Sequence, residues 1–172
     1  MLEIIAFCCG ALVMVLEMVG ARVLAPHVGT SAVVWTSLIG VVLACLAVGA
    51  WLGGRLADRH LSRRGLAFIL TGASLGSALA AGTHRLVGEA LSVAITDIHL
   101  AAVACALGIL ALPALCCGMI SPYIIRLRIR DVATSGATVG RLYALSTAGS
   151  IVGTFLGGFV LISFFASGTI LW

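Results

Sequence analysis

Val33-Val-Trp-Thr-Ser-Leu-Ile-Gly40-Val-Val-Leu-Ala-Cys-Leu-Ala-Val-Gly49-Ala-Trp-Leu-Gly-Gly54 runs for 22 residues without a charge. It passes directly into Arg55-Leu-Ala-Asp58-Arg59-His-Leu-Ser-Arg63-Arg64. About 20 apolar residues are what an α-helix needs to cross the roughly 30 Å of hydrocarbon in a bilayer. Backbone N–H and C=O groups have no water to bond there, so a single apolar segment crosses as a helix. An apolar span that stops at a block of arginines therefore predicts a transmembrane helix ending on the cytoplasmic side.

Four further segments follow the same pattern. The apolar runs fall at about 4–24, 33–54, 66–83, 98–125 and 142–165, giving an all-α, polytopic bundle of about five spans in one transmembrane domain, 1–172. Pro26, Gly29, Thr30 and Ser31 mark a turn after the first run. The stretch from His84 to Asp97, with Arg85 and Glu89, reads as a polar connection or an interfacial helix. Pro113 and Pro122 predict a kink in the fourth run, since proline removes a backbone donor. The first segment lacks a basic leader and is longer than the apolar core of a signal peptide, so it reads as a retained helix.

Composition supports a lipid environment. The chain is 62% hydrophobic and 9% charged, where a soluble domain carries roughly 25% charged residues. Its mean hydropathy is +1.23. The net charge of +4 comes from arginine alone, for the chain has no lysine. Those arginines sit at segment ends, which argues for topology and against nucleic acid as a partner.

Segments 55–65 and 126–141 hold eight of the ten arginines and are separated by two spans. Both are expected on the cytoplasmic side, with the amino terminus. Trp172 then lies at the outer interface. The bacterial inner membrane is the expected location. An odd number of spans ending so abruptly points to a piece of something longer, or a half that needs a partner.

Six cysteines (Cys8, Cys9, Cys45, Cys105, Cys116, Cys117) lie in apolar stretches without Cys-x-x-Cys spacing, so they read as packing residues rather than a metal site. His60 belongs to the basic segment, and His27, His84 and His99 read as separate interfacial residues. No cofactor and no catalytic nucleophile–base pair is signalled. Gly149, Gly153 and Gly157 recur every fourth residue with Gly158 beside them. Such a ladder lets helix backbones approach in lipid, where packing and not water drives association. It serves contacts within the chain, or docks a second copy or another protein.

Two charges lie within the first span. A charge at that depth costs several kcal/mol unless paired or wetted. Glu17 and Arg22, five residues apart, point about 140° away from each other, so direct pairing along the helix is poor. Glu17 is expected to face the bundle interior, as a polar clamp or as a site for a cation or proton. Arg22 is expected to snorkel to the outer interface. Tyr143, Ser146, Thr147 and Ser150 form a polar patch that lines the same interior, or makes ordinary interhelix hydrogen bonds.

Two stretches carry a resemblance. Gly54-Arg-Leu-Ala-Asp58-Arg59, followed by Arg63 and Arg64, resembles the loop 2–3 signature of the major facilitator superfamily, and the Gly149–Gly158 ladder resembles its glycine-rich fifth helix. The fold this implies is half of a major facilitator bundle, with Asp58, Arg59, Arg63, Arg64 and Arg141 as a cytoplasmic latch. Over nearly the whole chain, Leu16-Glu17-Met-Val-Gly-Ala-Arg22-Val-Leu-Ala-Pro26-His-Val-Gly29-Thr30-Ser31, Gly118-Met-Ile-Ser-Pro122 and Gly140-Arg141-Leu-Tyr143-Ala-Leu-Ser146-Thr147-Ala-Gly149-Ser are similar to the membrane region of fused major-facilitator/spermidine synthase proteins.

In those proteins a helix bundle precedes a cytosolic aminopropyltransferase-like domain, whose nucleotide loop is not found here. The resemblance implies a non-enzymatic membrane module that anchors a synthase-like membrane or cytosolic partner and moves a small cation such as a polyamine. The alternatives are a half-size transporter working as a homo-oligomer, and a structural subunit of a larger membrane complex.

Overall fold

The computed structural model describes residues 1–129, 135–165 and 167–171. Arg130 and Trp172, which the topology reading used, lie outside the described residues. Five long helices build the chain: α1 (Leu2–Val28), α2 (Ala32–Arg59), α3 (Arg63–Ala94), α4 (Ile98–Arg128) and α5 (Ser135–Phe155). The last continues through a π-helical segment, Leu156–Leu161, and the short turn Ile162–Phe164. A five-residue helix, α6 (Ser167–Leu171), follows. No strand occurs among the described residues. All five long helices, taking the fifth through Phe164, are long and apolar enough to cross a membrane. The chain is an integral membrane protein.

Three boundaries differ from the sequence reading. Pro26 lies inside α1, which ends at Val28 with Gly29 at φ 80°. Proline near a helix end forfeits only its own N–H bond, so the turn is set by the glycine in its left-handed conformation. The polar connection after residue 83 is instead the last third of α3, which runs 32 residues or about 48 Å. Leu86, Glu89, Ala90 and Leu91 are good helix formers, and the Thr83 and His84 side chains bond back to carbonyls of their own helix. Arg141 sits within α5, which begins at Ser135 and not in a loop reaching residue 141.

Residue chemistry explains the ends. Asp97 caps α4, its Oδ1 accepting the N–H groups of Leu100 and His99 at 2.9 Å each. Those bonds hold its carboxyl below the usual carboxylate range. Ser62 caps α3 by accepting the Gly65 N–H at 2.9 Å. Helix α4 stays helical through both prolines and is the most buried span.

Packing follows small residues. Helices α2 and α4 meet backbone to backbone: a Cβ at Gly49 would strike the Leu115 carbonyl, and Gly53 and Gly118 likewise face Met119 and Leu46. Helices α1 and α5 form a second such seam, Gly149 against Phe7 and Gly153 against Ala11. Helix α3 leans on α4. One core cluster joins Val19, Val23, Leu38, Val42, Ala102 and Leu110, and a second joins Ala6, Cys9, Ile69, Ile120, Tyr123 and Leu142. Neither contains a charged residue among the described residues. Outward faces carry Phe68, Phe159 and Phe164, each more than 70% exposed, a surface suited to hydrocarbon rather than water.

Candidate functional site

Helices α2 and α5 do not close against each other, and the gap between α1, α2, α4 and α5 is a cavity of about 510 Å3. It is open on one side, and α3 contributes nothing to it. Ala6, Gly10 and Val13 supply the α1 wall; Ser121 and Pro122 come from α4; Tyr143, Ser146 and Thr147 come from α5. The polar patch expected from the sequence thus lines a real cavity. Part of it also makes the ordinary bonds of a helix. Thr147 donates to the Tyr143 carbonyl at 2.9 Å, and the Ser150 hydroxyl lies 3.2 Å from Gly10 O and 3.1 Å from Ser146 O.

A few polar groups stand in an otherwise apolar wall. The hydroxyls of Ser121 and Ser146 have no hydrogen-bond partner among the described residues. Pro122 has no N–H, so the carbonyl of Gly118, also in the wall, lacks the donor a helix would give it four residues on. Glu17 continues the Ala6–Gly10–Val13 stripe of α1 one turn further, since steps of four, three and four residues keep to one helix face. It is half-buried and has no ion-pair or hydrogen-bond partner among the described residues.

Arg22 is elsewhere. It is exposed, and its Nη1 donates to the carbonyl of Ile162 at the end of the fifth span. It lines a separate cavity with His27, His84, Arg85 and Glu89. Glu17 and Arg22 are not paired, as their angular separation required.

The arginine-rich segments meet at one end of the bundle. Asp58 pairs with Arg126 at 3.2 Å, joining α2 to α4. Glu3 at the start of α1 accepts Arg141 at 3.3 Å and lies 3.6 Å from Arg128, joining α1 to α5 and α4. Arg59, Arg63 and Arg64, grouped with Asp58 and Arg141 in the sequence, are exposed and make no ion pair among the described residues. Arg55 stacks 4.5 Å over the Trp51 ring.

Glu3 was missed because its partners lie more than 120 residues away. These pairs are exposed on at least one side, so each is worth little. Glu3→Gln is expected to lower stability by about 1 kcal/mol or less, an effect that shrinks in high salt. Thermal unfolding at two ionic strengths measures it; a salt-independent loss argues that Glu3 acts through packing.

The glycine ladder is partly resolved. Gly149 and Gly153 are consumed by the α1 seam, whereas Gly157 and Gly158 stand further off, Gly157 at ordinary contact distance from Val15 and Met18 and Gly158 against the end of the Met18 side chain. Tyr123, which nothing in the apolar run around it singled out, is fully buried beneath the α2–α3 turn. Compared with known proteins, the chain matches no family model, no curated protein and no solved structure.

Proposed function

We propose that this chain is a membrane module of the kind found in spermidine synthase-like proteins, and that it binds and passes a small cationic solute such as a polyamine. One observation carries the reading: an open, mostly apolar cavity with the Ser121 and Ser146 hydroxyls and the Gly118 carbonyl in its wall, and a lone carboxylate, Glu17, one turn beyond that wall on the same stripe of α1. Hydroxyls, a proline-freed carbonyl and a carboxylate suit an ammonium group, which offers only donors. Burial raises the cost of leaving Glu17 charged and alone, so proton and cation compete for it.

A five-helix unit with a cavity open on one side is half of an enclosure. Transporters commonly place their site between two repeats. In this reading the other wall comes from a second copy or a partner, and the bundle corresponds to half of a major facilitator fold. The ion-paired, arginine-rich end faces the cytoplasm of a bacterial cell by the positive-inside rule, where a synthase-like partner is anchored.

Spermidine binding and uptake by the full chain in proteoliposomes test the proposal. Glu17→Gln is expected to reduce both by about tenfold or more, the usual scale for a lost charged hydrogen bond. If the variant melts at a lower temperature yet binds and transports spermidine unchanged, Glu17 is a structural clamp and the transport reading fails.

A further inference from the structure

Arg22 and Arg85 are the two arginines outside the two basic segments. The positive-inside rule accounts for the other eight and leaves these without a reason. Sixty-three residues apart in sequence, they come to one cavity of about 400 Å3 at the end of the bundle opposite the Glu3 and Asp58 ion pairs. Its walls are Arg22 and His27 from α1, His84, Arg85 and Glu89 from α3, and Ser167 from α6.

We propose that this cavity binds a phosphate-type anion, free or as the headgroup of an anionic lipid. Two exposed guanidinium groups share this wall with a single carboxylate, so an anion between them is favoured. Arg85 makes no ion pair within 4.0 Å among the described residues, not even with Glu89 one turn along the same helix. Arg22 is held in place by one nitrogen on the Ile162 carbonyl, which leaves its other N–H groups for a ligand. Guanidinium groups match phosphate oxygens in pairs, and charge-assisted bonds of this kind are the strong ones.

The histidines shape the wall, and the guanidinium groups supply its donors. His84 is oriented by Nδ1, which donates to the Ala81 carbonyl at 2.9 Å. His27 is fixed against the backbone of α3 at Gly88, where no side chain could be accommodated. With the histidines neutral, the wall sums to one positive charge, two arginines less one glutamate. That charge calls for an anion and gives Glu89 the opposite sign of effect from Arg85.

Thermal unfolding of the full chain in dodecyl maltoside, a phosphate-free detergent, tests the site. Inorganic phosphate is expected to raise the melting temperature saturably, where chloride at equal ionic strength does not. Short-chain phosphatidylglycerol is added in a separate series. A response to inorganic phosphate identifies a free-anion site, and a response to the lipid alone identifies a headgroup site; both support the proposal.

Arg85→Gln is expected to weaken the apparent affinity about tenfold, and Glu89→Gln to tighten it. The opposite signs separate ligand binding from a general loss of folding. No stabilisation by either probe overturns the proposal, as does an unchanged response in Arg85→Gln or a weakened one in Glu89→Gln.

Discussion

Gly53→Leu is expected to lower the melting temperature of the detergent-purified chain by roughly 10 °C, while Gly54→Leu leaves it unchanged or slightly higher. The two glycines are neighbours in one helix, so propensity favours leucine over glycine equally at both, by about 0.8 kcal/mol. Surroundings decide the sign. A Cβ at Gly53 would sit 2.5 Å from the Met119 carbonyl oxygen and 2.6 Å from its Cα, both backbone atoms of α4. No rotamer relieves such a contact, and the helices must separate along the α2–α4 seam, at a cost of about 3 kcal/mol. At Gly54 nothing lies within 4 Å.

In lipid the loss is not offset by a hydrophobic drive to re-close the seam, because hydrocarbon solvates the parted faces as well as the partner helix did. Thermal unfolding followed by size exclusion reads both variants. Equal melting temperatures for the pair would show that the helices are held together by something other than close backbone approach.

The number of spans was legible because hydrocarbon thickness and the scarcity of charge leave few solutions for such a chain. The arginine segments were legible for a related reason: charges collect where helices leave the membrane, and the described parts of segments 55–65 and 126–141 do share one end. What pairs with what at that end was not. Glu3 and Asp58 find Arg141 and Arg126 because α1, α5, α2 and α4 pack as they do, and sequence spacing holds no trace of that.

The end of α3 was misread for a different reason. His84, Arg85 and Glu89 read as a connection or a separate interfacial helix because they are polar, whereas they continue one helix whose roughly 48 Å exceed the roughly 30 Å of hydrocarbon in a bilayer. The same extension carries Arg85 to Arg22 and His84 to His27. A cluster assembled by an unexpected length of helix cannot be seen from the residues alone. Of the interior candidates, Tyr143, Ser146 and Thr147 were readable as a patch by their helical spacing. The depth of the gap beside them depends on α2 and α5 staying apart.

Tyr123→Ala is expected to cost about 3–5 kcal/mol, and Tyr123→Phe about 1–2 kcal/mol. The ring is wholly buried among Leu66, Ile69, Ile120 and Ile124, so truncation leaves a hole in the core of the arginine-rich end. The hydroxyl does separate work. It lies 2.8 Å from the His60 carbonyl and 3.1 Å from that of Ser62, donating to one of them, and accepts the Ser62 N–H at 3.1 Å.

Those bonds satisfy the backbone where α2 stops and α3 starts, and Gly65 leaves the room that the hydroxyl occupies. Phenylalanine keeps the packing and strands the Ser62 N–H, so the α2–α3 turn loosens while the bundle stays folded. Trypsin distinguishes the two effects, because Arg59, Arg63 and Arg64 flank that turn. Tyr123→Phe is expected to be cut there several-fold faster than the parent chain at temperatures well below its melting point. Cutting at the parental rate, with an unchanged melting temperature, would mean that the turn is held by its helix ends and not by the tyrosine beneath it.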